Sequence, residues 1–150
     1  FQITSIFINL TVYENVALAI RKDNSNGEED SVSEVLSKVG LLDRIEQRSG
    51  DLSYGHQRLL ELAMGMAQKP KLLILDEPTQ GLSDSEIENF KKLIKDISSS
   101  TTILLIEHNM DVVMSIADNI SVLHFGEIIA DGDKETIQND PIVQKAYLGD

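Results

Sequence analysis

The chain has 150 residues, enough for one domain with a real core or for part of a larger one, and its 41% hydrophobic and 25% charged residues are ordinary for a globular protein. A net charge of −12 argues against nucleic acid as the main partner, because a phosphate backbone demands clustered Lys and Arg. There is no cysteine to build a disulfide framework, and no apolar run approaches the roughly 20 residues that span a bilayer.

Phe1–Thr4 (FQIT) carries no Met and no basic stretch of a signal peptide, and reads as the middle of a longer sequence. Thr11–Glu14 (TVYE) has the form of a capping box, an N-cap hydroxyl with an acid three residues on, and predicts a short helix with Val12 and Val16 inward. Residues 23–30 (DNSNGEED) are polar and acidic and predict a surface loop. Ser31–Glu34 (SVSE) reads as a second capping box, opening a helix with Val32, Val35, Leu36 and Val39 inward and Gly40 at its end. Residues 41–50 form an irregular connection. Leu59, Leu62, Ala63, Met66 and Ala67 then repeat at helical spacing, with Ser53 as a natural N-cap.

Strand and helix alternate from there. Leu72–Leu75 is an unbroken aliphatic run that ends in Asp76, Glu77 and Pro78, the pattern of a strand buried on both faces. Pro78 lacks an N–H and biases Glu77 away from helix, so the strand stops at the acids. Ser83–Glu86 (SDSE) is a third capping box, followed by Ile87, Phe90, Ile94 and Ile97 as a buried stripe. Thr101–Ile106 predicts a second doubly buried strand ending at Glu107 and His108. A short helix over 110–117, two strands at 120–124 and 127–130 around Phe125-Gly126, and a small helix near 134–139 complete the chain. Helices first and alternation afterwards suggest a helical subdomain joined to an α/β sheet, divided as 1–68 and 69–150.

Three places could carry chemistry. Two carboxylates at the carboxyl end of a buried strand stand where open α/β sheets bind ligands. Asp76 there could hold Mg²⁺ through water, and Glu77 could orient an attacking water, although most strand-end acids are merely solvated. Residues 52–57 (LSYGHQ) place Ser53 and Gly55 at a helix N-terminus, an anion site suited to phosphate or simply an ordinary capped start. His108 follows the second strand and could reach a phosphate oxygen, whereas a lone histidine there is more often structural. His124, at the hairpin turn, belongs to that structural class.

In this order, Gln2, LSYGHQ, LLILDE, the Gln80–Ser83 turn and His108 closely resemble the ABC-type ATPase family, over essentially all 150 residues. The resemblance implies the C-terminal part of a P-loop NTPase (RecA-like) ABC ATPase domain with a helical subdomain. It implies that ATP and Mg²⁺ are the cofactors, with Gln2 sensing Mg²⁺ and the transmembrane partner and Asp76 near the ion. Glu77 would be the general base and His108 the γ-phosphate switch. Ser53, Gly55 and His56 would touch the γ-phosphate held by a second ATPase subunit in a head-to-tail dimer, and residues 80–83 would cross that interface. The LSYG-x-Q-R stretch, EPTQGL, Ile106–Met114 and Asp140–Gly149 are similar to ATPases of branched-chain amino-acid importers, with urea and amide importers nearby. Such a subunit works at the cytoplasmic face of the plasma (inner) membrane, attached only through its permease. An ABC-type ATPase acting on nucleic acid or ribosomes shares the motifs but not the acidic balance or the C-terminus. His56 stands where the signature commonly has Gln, and Ser83 where the interface turn commonly has Asp. No G-x-x-x-x-G-K-[ST] occurs in these residues, so alone they are expected to bind ATP weakly and to be inactive.

Overall fold

The computed structural model describes residues 6–20 and 28–148. Gln2 and most of the loop at 23–30 lie outside the described residues. The chain forms two compact units, Phe1–Glu107 and His108–Asp150.

In the first unit, α1 (Val12–Ala19) starts at the expected capping box. The Glu14 N–H donates to Thr11 Oγ1 at 3.1 Å, and the Thr11 N–H donates to Glu14 Oε2 at 2.7 Å. Val12 and Val16 are buried, and so is Asn15. The Asn15 amide donates to the carbonyls of Phe7 and Thr11 and to Ser49 Oγ, at 3.1, 2.9 and 2.8 Å, and accepts the Phe7 N–H at 2.7 Å. One buried side chain thereby ties the segment before α1 to the turn at Ser49–Asp51, and every polar atom it brings inside is satisfied.

The next helix, α2 (Glu28–Lys38), begins before Ser31, so the SVSE stretch lies inside it and is not its cap. The inward set is the expected one: Val32, Val35, Leu36 and Val39 are buried. Gly40 takes φ +73, and the Leu41 and Gly40 N–H groups donate to Leu36 and Ser37 carbonyls at 2.8 and 3.2 Å, a Schellman ending. In α3 (Tyr54–Ala67) the buried residues are Gly55, Leu60, Leu62, Ala63 and Ala67. Leu60 is fully buried while Leu59 and Met66 are half-buried, a correction to the expected stripe. This helix packs against both α1 and α2, so its apolar face is wider than a single line of residues.

β1 (Leu72–Asp76) and β2 (Thr102–Ile106) pair in parallel, from Leu72 opposite Thr102 to Asp76 opposite Ile106, with α4 (Asp84–Ser98) as the crossover. Neither strand is buried on both faces. Leu73, Leu75, Ile103 and Leu105 are half-buried, and Leu73 reaches Gly65 of α3. Leu72, Ile74, Leu104 and Ile106 are each about half exposed, at 51, 59, 51 and 49%. An unbroken apolar run reports that both faces need cover; among the described residues only one receives it. In α4, Phe90, Leu93, Ile94 and Ile97 are buried, with Ile87 half-buried.

The second unit holds α5 (Met110–Ile116) and an antiparallel hairpin, β3 (Ile120–His124) and β4 (Glu127–Gly132). Phe125 and Gly126 take φ +47 and +84, the paired positive values of a tight hairpin turn. Ile120, Val122, Ile137 and Val143 form its core, with α6 (Lys134–Asn139) and the single turn α7 (Pro141–Val143) supplying the last two. The hairpin and the small helix stand where the sequence pattern placed them.

Candidate functional site

Two turns of the first unit carry most of the residues singled out by sequence. The first leaves β1. Asp76 is exposed at the strand's carboxyl end and Glu77 is half-buried beside it. Glu77 takes φ +45, a left-handed conformation that residues with a side chain rarely adopt. Such strain persists where the surroundings over-determine it. Here the Glu77 N–H donates to the Ile106 carbonyl at 2.8 Å, and the Gln80 N–H donates to the Glu77 carbonyl at 3.2 Å. Thr79, 5% exposed, completes the clamp. Its N–H and hydroxyl both donate to Glu107 Oε1, at 3.0 and 2.5 Å. A charged acceptor makes these strong bonds. One carboxylate after β2 therefore fixes the turn after β1.

Among the described residues no three His, Asp or Glu side chains gather closely enough to hold a metal by themselves. Mg²⁺ asks for less: one or two carboxylates, with phosphate oxygens and water completing an octahedron. The exposed Asp76 carboxylate fits that requirement as one hard oxygen ligand.

The second turn opens α3. Ser53 Oγ accepts the His56 N–H at 3.3 Å and lies 2.7 Å from His56 Nδ1, so the imidazole is drawn back onto the cap. Tyr54 is held from the other side. The Arg58 Nε and Nη2 groups donate to its Oη at 3.1 and 2.9 Å, the guanidinium carbon lies 5.3 Å from the ring centre, and Nη1 donates to Glu61 at 3.0 Å.

These two turns meet. Gly81 takes φ +78, and a Cβ built on it would lie 3.0 Å from Tyr54 Cε1, so the Tyr54 ring packs over the glycine. A Cβ on Gly55 would lie 2.1 Å from Glu86 Oε1 and 2.8 Å from Glu86 Cδ. The room that the glycine leaves is filled by a carboxylate of the same chain. The other oxygen, Glu86 Oε2, accepts the Ser83 N–H at 2.8 Å and the Ser83 hydroxyl at 2.7 Å. Those bonds from the Ser83 hydroxyl and N–H hold the Glu86 carboxyl below its ordinary range.

Ser53, Gly55, His56, Asp76 and Glu77 are thus all placed within the first unit. His108 is exposed at the start of the second, immediately before Asn109, whose Oδ1 caps α5 by accepting the Val112 N–H at 3.3 Å. Gln2 lies outside the described residues. The His124 and Phe125 rings meet edge-on, 4.3 Å apart, at the hairpin turn. Sequence reasoning gave no role to Thr79, Glu107 or Tyr54. Thr79 and Glu107 stand 28 residues apart, and Tyr54, besides its neighbour Arg58, meets Gly81 of the later turn, where no local pattern points to the contact.

The profile of the ABC transporter family matches residues 1–80, and that of the branched-chain amino acid ATP-binding cassette transporter matches residues 127–150. The high-affinity branched-chain amino acid transport ATP-binding protein LivG, of Salmonella typhimurium and of Escherichia coli, is 36% identical over 100% of this chain and 66% of its own length. BraF of Pseudomonas aeruginosa, described in the same words, is 45% identical over 77% of this chain and 46% of its own. Among solved structures, MJ1267, an ATP-binding cassette of an ABC transporter, superposes with a TM-score of 0.84 at 25% identity, over 98% of this chain and 66% of that one. CbiO1 of Clostridium perfringens, part of the cbiONQ transporter complex, gives 0.82 at 26% identity over 96% and 59%. The chain therefore spans 66% of the length of the LivG proteins it matches.

Proposed function

The chain belongs to the ABC transporter family, and on that premise we propose that it is part of an ATPase subunit that powers uptake of branched-chain amino acids. The observation that carries the reading is the turn after β1, where Glu77 is pinned at the carboxyl end of a parallel strand pair beside the exposed Asp76. The solute is inferred from the names of LivG and BraF and from the match over residues 127–150.

In this reading residues 1–68 form the Q-loop and helical subdomain, and residues 69–150 contribute to the α/β core. Asp76 would hold Mg²⁺, with Gln2 as the family's further candidate ligand; when bound, the ion would neutralise charge on the phosphates. Glu77 accepts a hydrogen bond from the attacking water and orients it toward the γ-phosphorus, while His108 donates to a γ-phosphate oxygen. Ser53, Gly55 and His56 present the N-terminus of α3 to the nucleotide of a second subunit, where N–H groups and the helix dipole favour negative charge. Among the described residues no helix is long and apolar enough to cross a membrane. Attachment is through permease subunits, at the cytoplasmic face.

Uptake decides the solute. Cells lacking the gene should lose most high-affinity uptake of labelled leucine, isoleucine or valine and regain it from a plasmid copy. Unchanged uptake of all three, with loss of urea or amide uptake, would move the protein to those importers. Unchanged transport with defective translation would move it to the ribosome-acting ATPases.

A further inference from the structure

The proposed function turns the α3 N-terminus toward a partner's nucleotide, and the family resemblance has residues 80–83 cross the same interface. In the structure they are one piece, and the joint is Glu86. Its Oε2 closes the capping box of α4 through the Ser83 N–H and hydroxyl, at 2.8 and 2.7 Å. Its Oε1 is the atom nearest to where a Gly55 Cβ would stand, and the three nearest atoms there all belong to Glu86. One carboxylate thus spans from the cap of α4 to the first turn of α3. Beside it the Tyr54 ring rests on Gly81, giving the same two turns a second, apolar contact. The space beyond Gly55 is taken by that carboxylate, and a methyl group 2.1 Å from Oε1 would require the Glu86 side chain to shift.

We propose that Glu86 is a positioning residue that latches the α3 N-terminus to the 80–83 turn, so that both face the partner subunit as a single rigid edge. The catalytic half of this statement rests on the ATPase reading; the latch itself does not.

The latch is tested in the complete protein by a thermal cycle of Gly55→Ala, Glu86→Ala and the double variant. With Glu86 present, Gly55→Ala breaks the cap and lowers Tm by about 2–4 °C, the shift expected for loss of a cap at this size. With Glu86→Ala, the same change has room and raises Tm slightly or leaves it level, since alanine favours a helix over glycine. An equal drop in both backgrounds would refute the latch. Its role in turnover is read from MgATP kinetics. Glu86→Ala lowers kcat about fivefold with KM nearly unchanged, a misplacement effect on the reacting geometry. Glu86→Gln retains kcat within about twofold, because its amide oxygen still accepts from Ser83 and its bulk still fills the space at Gly55. A kcat that Glu86→Ala leaves intact would overturn the positioning role. A parent protein that hydrolyses no ATP would refute the functional reading, and the thermal cycle would still decide the latch.

Discussion

Glu77 holds an unfavourable backbone conformation because its neighbours leave no alternative. Its N–H is committed to Ile106, and the buried Thr79 is committed twice to Glu107. Removing one bond differs from removing the acceptor. Thr79→Val keeps the backbone bond and should cost about 1 kcal/mol, the net value of a hydrogen bond. Glu107→Ala leaves the N–H and hydroxyl of Thr79 without that acceptor and should cost roughly 2–3 kcal/mol, since unmade bonds to buried donors carry the full desolvation penalty. Urea unfolding of both variants in the complete protein checks the order; a smaller loss for Glu107→Ala would show that water replaces the carboxylate. The acids at 76 and 77 were legible from sequence as strand-end residues before a proline. The clamp was not, because Thr79 and Glu107 belong to different strand ends and meet only through the parallel register.

At the scale of the element, local chemistry predicts helix ends well and helix environments less well. Thr11 forms the reciprocal cap that its sequence announces, Glu86 accepts from the N–H and hydroxyl of Ser83, and Gly40 ends α2 in the left-handed conformation that favours glycine. Ser31 has the same signature and is not a cap, since the helix already begins at Glu28. The Ser83–Glu86 box has a pH signature. The Ser83 hydroxyl and N–H keep the folded Glu86 carboxyl below its ordinary value of 4.5. Its contribution is therefore complete above that value and is lost as pH falls through the lower folded one. Tm of the complete protein should decline as pH falls below 4.5, less steeply for Glu86→Gln than for the parent. Parallel declines would show that this cap does not titrate with folding. Gly55 illustrates the other side: the sequence marked room at a helix start but could not say that Glu86, 31 positions on, would fill it.

For the whole molecule, the sequence pattern captured the order of elements, the parallel pair and the C-terminal hairpin. It overstated the burial of β1 and β2, because hydrophobicity records what a strand requires and not which neighbours supply it. Leu72, Ile74, Leu104 and Ile106 keep one face open among the described residues, while α3 reaches the other at Leu73. The motif residues divide likewise. The α3 N-terminus meets the 80–83 turn and Glu86, and His108 begins the second unit. In the proposed function the turn after β1 is the hydrolytic edge of an importer ATPase. Its most direct test is single-turnover hydrolysis of MgATP by the complete protein with Glu77→Gln, alongside nucleotide binding by calorimetry. The rate should fall by at least about 10²-fold, as for loss of a positioned general base, with ATP affinity retained. Hydrolysis at the parent rate would contradict it.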